Sequence, residues 1–131
     1  MVYNRQSLWY HLYTAYQRQV LDGAYPGMSI DDAFQRNTDG EDSPISRAYQ
    51  PDRFVAECEA VGFQTRFVGG YVARLELDLY GSLGAQAISD ERLAEEHRHF
   101  LRELQVGSDG FPRYHGHYAG IGGVYHLLAA S

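Results

Sequence analysis

Between Pro51 and Val68 the apolar pattern changes from helical to extended across one glycine, and that junction constrains the fold more than any other feature of the chain. Pro51 suits a first helical position, because its ring presets φ and its missing N–H would have no helical partner there; Asp52 beside it complements the helix dipole. Phe54, Val55, Cys58 and Val61 then fall on one face, and Gly62 follows the last turn. From Phe63 the period becomes two, with Phe63, Thr65 and Phe67 alternating with Gln64, Arg66 and Val68 until Gly69-Gly70 interrupt the run at a bulge or bend. A helix that passes straight into a strand buries both apolar faces only if one layer packs on another, so the chain is read as α/β.

Other segments extend this pattern. Leu8, Leu12 and Tyr16 recur every fourth position, Trp9, Tyr13 and Val20 widen the same face, and Gly23 stops a helix over residues 7–21. Residues 23–50 carry Gly23, Pro26, Gly27, Gly40 and Pro44 with an acidic cluster at Asp39, Glu41 and Asp42, and read as a long loop or lid. A short helix interrupts it, capped by Ser29, with Asp31 and Asp32 in its first turn and Ile30, Ala33 and Phe34 facing inward. Residues 71–79 stay open between strand and helix, because the leucines at 75, 77 and 79 have strand period while the charges between them suit a helix. Ser89 reads as the cap of a helix over 89–104 whose buried stripe is Leu93, His97, Phe100, Leu101 and Leu104. Met1 to Tyr3 reads as a strand that has hardly begun, and Ile121 to Leu128 as a buried final strand.

Composition removes several classes of chemistry. At 131 residues and 44% hydrophobic, the chain has material for one core and one domain, 1–131. It has no apolar run of membrane length and no leader pattern, so a cytoplasmic location without membrane partners is expected. Cys58 is the only cysteine, which excludes an internal disulfide and a thiolate zinc cluster, and it reads as a small buried hydrophobe. All eleven basic residues are arginine, so a lysine Schiff base and a lysine-bearing phosphate loop are excluded. With a net charge of -6 and the arginines scattered singly, no nucleic-acid partner is expected. His97 and His99, two apart on a helix, point in different directions, and His115 and His117 could align if extended but lack an obvious third ligand, so no metal is expected.

Met1-Val2-Tyr3-Asn4-Arg5 resembles the fifth strand, and the turn after it, of class I S-adenosylmethionine-dependent methyltransferases. Pro51 to Val61 followed by Gly62-Phe63 resembles their last helix and its entry into the sixth strand, and Ala119 to Leu128 is similar to the seventh. The resemblance implies a truncated Rossmann-like methyltransferase sheet. Three mixed strands would be covered by helices, the last strand inserted antiparallel between the other two, with Asp90 to Leu104 as an inserted helix. The family's proline-glycine-glycine segment before the fifth strand is absent here. So are its glycine-rich turn after the first strand and the acidic residue that holds the donor's ribose. Gly120, Gly122 and Gly123 do not replace that turn, because they precede a strand and offer no helix N-terminus; they read as close backbone packing.

The implied function is the acceptor-side part of such an enzyme. S-adenosylmethionine would be the donor of the complete enzyme, and no cofactor would be bound by this chain alone, which would be inactive by itself. The fifth strand would lack its usual neighbour, leaving an open sheet edge for a complementary N-terminal half or for self-association. A small-molecule acceptor would lie near Asn4, Arg5 and His11, just after that strand, and near Arg47 and Tyr49 at the end of the long loop. Tyr114, His115, His117 and Tyr118 form a second polar-aromatic group, and any of these histidines could serve as a general base. Two other readings compete: a non-catalytic module for a small ligand or partner, and an enzyme acting alone through His115 or His117.

Overall fold

The computed structural model describes residues 2–39 and 47–129; of the acidic cluster, Glu41 and Asp42 lie outside them, as do Gly40 and Pro44. In chain order the elements are β1 (Val2–Asn4), α1 (Trp9–Leu21), α2 (Ile30–Asp39), β2 (Ala48–Tyr49), α3 (Pro51–Ala60), β3 (Phe63–Tyr71) and α4 (Arg74–Ser89). These are followed by α5 (Glu95–Arg102), β4 (Gln105–Val106), β5 (Pro112–Tyr114), β6 (His117–Tyr118) and β7 (Gly122–Ala129). Gly62 takes a φ of +99°, a left-handed conformation that lets α3 turn directly into β3.

The main sheet is mixed and has four strands, in the order β2-β1-β7-β3. β7 runs antiparallel to both β1 and β3, which makes those two parallel to each other. Two expectations need correcting here. The sheet has four strands instead of three, and the outer edge of β1 is not open, because Ala48 and Tyr49 pair with Tyr3 and Asn4 in parallel. A two-residue strand has no periodicity to read, so its pairing is set by where the loop returns. The β3–β7 ladder slips between Phe67 and Gly69, at the glycine pair. Gly120 lies so close to β3 that a methyl group there would strike the Tyr71 carbonyl.

β7 is not a buried strand. Val124, Leu127 and Leu128 are exposed along it, and α3 covers Tyr125 through Phe54. A second, antiparallel sheet of order β4-β5-β6 sits beside the first. Its β5–β6 turn is His115-Gly116, with φ of +48° and +84°. Positive φ at both central residues of a two-residue hairpin is the type I′ pattern.

The core forms around α1, which is wound with the wider hydrogen bonding of a π-helix and packs against α2, α4 and α5. Leu8, Leu12 and Tyr16 are fully buried, and so is Tyr10, which the fourfold spacing leaves out. Trp9 and Tyr13 instead meet edge to face on the half-exposed side. Serial burial of residues 10–12 and 14–16 requires neighbours on several sides of the helix, which α2, α4 and α5 supply. Ser29 caps α2 through its hydroxyl, which accepts from the Asp32 amide, and Ala33 and Phe34 are fully buried.

The open stretch at 71–79 divides: Tyr71 ends β3, and from Arg74 onward the chain is helical, the start of α4. Ser89 ends that helix and does not cap the next, so the segment read as one helix over 89–104 contains the end of α4, a turn and α5. Leu93, His97, Phe100, Leu101 and Leu104 are nevertheless buried, because Leu93 and Leu104 flank α5 and pack with it on α1. Asp90, in the turn, accepts from the Tyr16 hydroxyl at 2.8 Å, which ties the turn to α1. Cys58 is half-buried and Val61 is 73% exposed, at the solvent end of α3. Among the described residues, no helix is long and apolar enough to cross a membrane.

Candidate functional site

β1 and β2 are parallel, so their carboxyl ends open on the same side of the sheet, the usual place for a ligand crevice in α/β proteins. A cavity of about 420 Å³ lies there, lined by Arg5 and Tyr49 from the two strand ends, Arg47 from the approach to β2, Asp31 and Asp32 from the first turn of α2, and Arg53 and Glu57 from α3. Its lining thus combines three guanidinium groups with three carboxylates around one aromatic ring.

Arg5 is held on two sides. Its Nη1 donates to both Asp31 oxygens, at 3.0 and 3.3 Å, and its guanidinium stacks over the Tyr10 ring at 4.8 Å. Tyr10 in turn donates its hydroxyl to Asp31 at 3.0 Å. Burial pushes that hydroxyl's pKa far up and Arg5 opposes the shift, so Tyr10 remains a donor. The Arg5 backbone N–H donates to the Tyr49 carbonyl at 2.9 Å, which joins the two strand ends below the cavity.

Of the residues singled out from sequence, Arg5, Arg47 and Tyr49 line this cavity. Asn4 does not. It is fully buried, its amide donates to the Gly120 and Gln6 carbonyls, and its side-chain oxygen accepts from the Gln6 N–H, so it fastens the turn after β1 to the start of β7. His11 does not line the cavity either: it is buried, stacked on Phe100 at 4.1 Å and hydrogen-bonded to His97. His115 occupies the hairpin turn and stacks on Tyr114, while His117 packs against Phe67. The turn separates these two histidines instead of aligning them on one strand face. Among the described residues, no group of three or more His, Cys, Asp or Glu is arranged to hold a metal ion.

Sequence reasoning overlooked Asp31 as a partner of Arg5, since helix-start aspartates are explained by the dipole alone. It also overlooked Glu76, which is fully buried and accepts from three backbone amides: Trp9 at 2.9 Å, Ala73 at 2.9 Å and Ile121 at 3.1 Å. Burial pushes its carboxyl up to about 7, against the pull of those amides. Glu76 bears on the donor question as well. A methyl donor would need free amides after a strand, but here the Trp9 amide is taken by Glu76 and the Tyr10 amide by the Ser7 hydroxyl. The turn between β1 and α1 therefore does not fit a nucleotide-type donor.

The fold and site define a mixed α/β domain with a bipolar crevice at parallel strand ends. No family model, curated protein or solved structure matches this chain.

Proposed function

We propose that this chain supplies the acceptor side of an S-adenosylmethionine-dependent methyltransferase of Rossmann-like fold, with the cavity at Arg5, Arg47 and Tyr49 receiving a small polar acceptor. The observation that carries the reading is the strand order, in which the last strand runs antiparallel between two parallel ones. The capped turn after β1 supports the companion point that the donor is held by other residues, those of a complementary N-terminal half. Catalysis on this side amounts to holding the acceptor in line, which positioned hydrogen-bond donors provide.

Two measurements test this. Cross-strand nuclear Overhauser contacts from Gly123 to both Val2 and Gly70 are expected in the folded chain, and their absence removes the topological support. Titration calorimetry of the purified chain with S-adenosylmethionine is expected to give no binding heat; retention of the donor at micromolar strength refutes the division of labour. A second reading, a self-sufficient small-ligand module, draws on the cavity alone, since its seven charged or aromatic walls come from one chain. It is favoured if a polar ligand from a screening panel raises the melting temperature of the chain by itself. Occupancy at 100 times Kd adds about 2.7 kcal/mol, which such a screen detects readily.

A further inference from the structure

The charges around the cavity do not all neutralise one another. Arg5 pairs with Asp31 at 3.0 Å and Arg53 with Glu57 at 3.5 Å, which leaves Arg47 and Asp32 from the three guanidiniums and three carboxylates of the lining. Those two are not joined to each other: among the described residues, neither the Arg47 guanidinium nor the Asp32 carboxylate has a hydrogen-bond or ion-pair partner. Arg5 is itself only half engaged. Its Nη1 alone serves Asp31, while Nε and Nη2 have no partner among the described residues. Those two nitrogens form the edge whose parallel N–H groups match the two oxygens of a carboxylate. Stacking on Tyr10 covers a face of the guanidinium and not that edge, the Tyr10–Asp31 hydrogen bond fixes the arrangement, and the side chain remains 26% exposed.

We propose that the cavity takes a small zwitterion of the amino-acid class, whose carboxylate is held by Arg5 and Arg47 and whose ammonium group meets Asp32. Charge decides between the classes of ligand. The lining sets three guanidiniums against three carboxylates, so a ligand with no net charge leaves no excess of either sign. A simple carboxylic acid would satisfy the arginines but bring a second anion beside the unpaired Asp32. A phosphate ester would set two negative charges against Asp31, Asp32 and Glu57, and a simple amine would face the three guanidiniums. An amino acid carries one group for each open partner and adds nothing to repel the others. Size agrees, since the cavity of about 420 Å³ lies within the range of roughly 300–1,000 Å³ usual for small-molecule sites. Tyr49, half-buried and set edge to face on Phe54, lends its ring to the wall that the ligand's side chain would meet. The inference rests on the cavity being the ligand site, the point on which both readings of the function agree, and it names what the acceptor is.

The test is a ¹H–¹⁵N NMR titration of the purified full chain, following the Nε–H signals of Arg5 and Arg47 and the amides of Asp32 and Tyr49. The probes are the common amino acids, the deaminated acid and decarboxylated amine of each one that binds, and, in every case, 3-phenylpropanoate, 2-phenylethylamine and inorganic phosphate. At least one amino acid should shift these signals saturably, and its matched acid and amine should bind about tenfold or more weakly, the weight of one charge-assisted hydrogen bond. Asp32→Asn should weaken that amino acid by a similar factor and erase its advantage over the matched acid. Arg47→Gln should weaken the amino acid and the acid alike. Both side chains are exposed, so both variants should keep the fold. An acid, an amine or phosphate that binds as well as any amino acid overturns the proposal. So does the absence of a shift with every probe, and so does amino-acid binding that survives both substitutions. Binding of an acid alone overturns the class of ligand while keeping the cavity as the site. None of these results touches the methyltransferase reading, which the Gly123 contacts and the calorimetry with S-adenosylmethionine decide.

Discussion

Glu76 is the residue on which most of the chain's non-local order converges, because its three amide donors come from the start of α1, the start of α4 and the approach to β7. Its carboxyl stands at about 7 in the fold against 4.5 for the free group, so the folded state holds the proton more tightly than the unfolded chain does. The stability this contributes is complete below pH 4.5 and is lost as pH rises through about 7, up to about 3 kcal/mol in all. His11 and His97 act in the opposite sense: their lowered proton affinity contributes stability above 6.5 that is lost in acid. The two effects separate when wild type is compared with Glu76→Gln by urea unfolding at pH 5 and pH 8. Loss of one amide hydrogen bond is a constant cost of about 1 kcal/mol to the variant, and the difference between the proteins should move by up to about 3 kcal/mol in the variant's favour on going to pH 8. A difference that does not change with pH would mean that the amides keep Glu76 ionised throughout. No single-residue signal in the sequence marked Glu76, since a glutamate at the third position of a helix is also the commonest solvent-facing one.

At the scale of the element, the β5–β6 hairpin shows how backbone geometry disposes of a suspected site. His115 sits at φ +48° in a two-residue turn, a place that asparagine fills more easily than most residues. His115→Asn should therefore raise the denaturation midpoint slightly, by about 0.5 kcal/mol, and leave ligand binding at the cavity unchanged. A large loss of binding would return His115 to the site. The sequence placed α2, α3 and the stripe of α5 from caps and periodicity, because those signals are local. It left α4 open, since Leu75, Leu77 and Leu79 imitate a strand; the contacts that decide the matter are those of Leu79, Leu83 and Ala87 with the core around α1. β2 was invisible because two residues carry no period.

For the whole molecule, the balance of strand lengths makes the sheet uneven. β3 and β7 pair along most of their length, whereas β2 joins β1 through two residues only. Hydrogen exchange followed by mass spectrometry should show β3 and β7 amides protected far longer than those of Ala48 and Tyr49. Equal protection would mean that β2 is an integral edge and leaves no room for another strand beside β1. Rapid exchange there fits a placeholder that a complementary half displaces. The amino-acid sequence by itself determined the α/β class, the Gly62 junction and the capped start of α2, because composition, capping and period are properties of neighbouring residues, whereas Arg5, Arg47 and Tyr49 were candidates only through the methyltransferase resemblance. Only the tertiary structure decided that Arg47 and Tyr49 return beside Arg5, that Asn4 and His11 turn inward, and that His97 meets His11. Each of those pairings spans tens of residues and depends on how the layers pack, which no local pattern records.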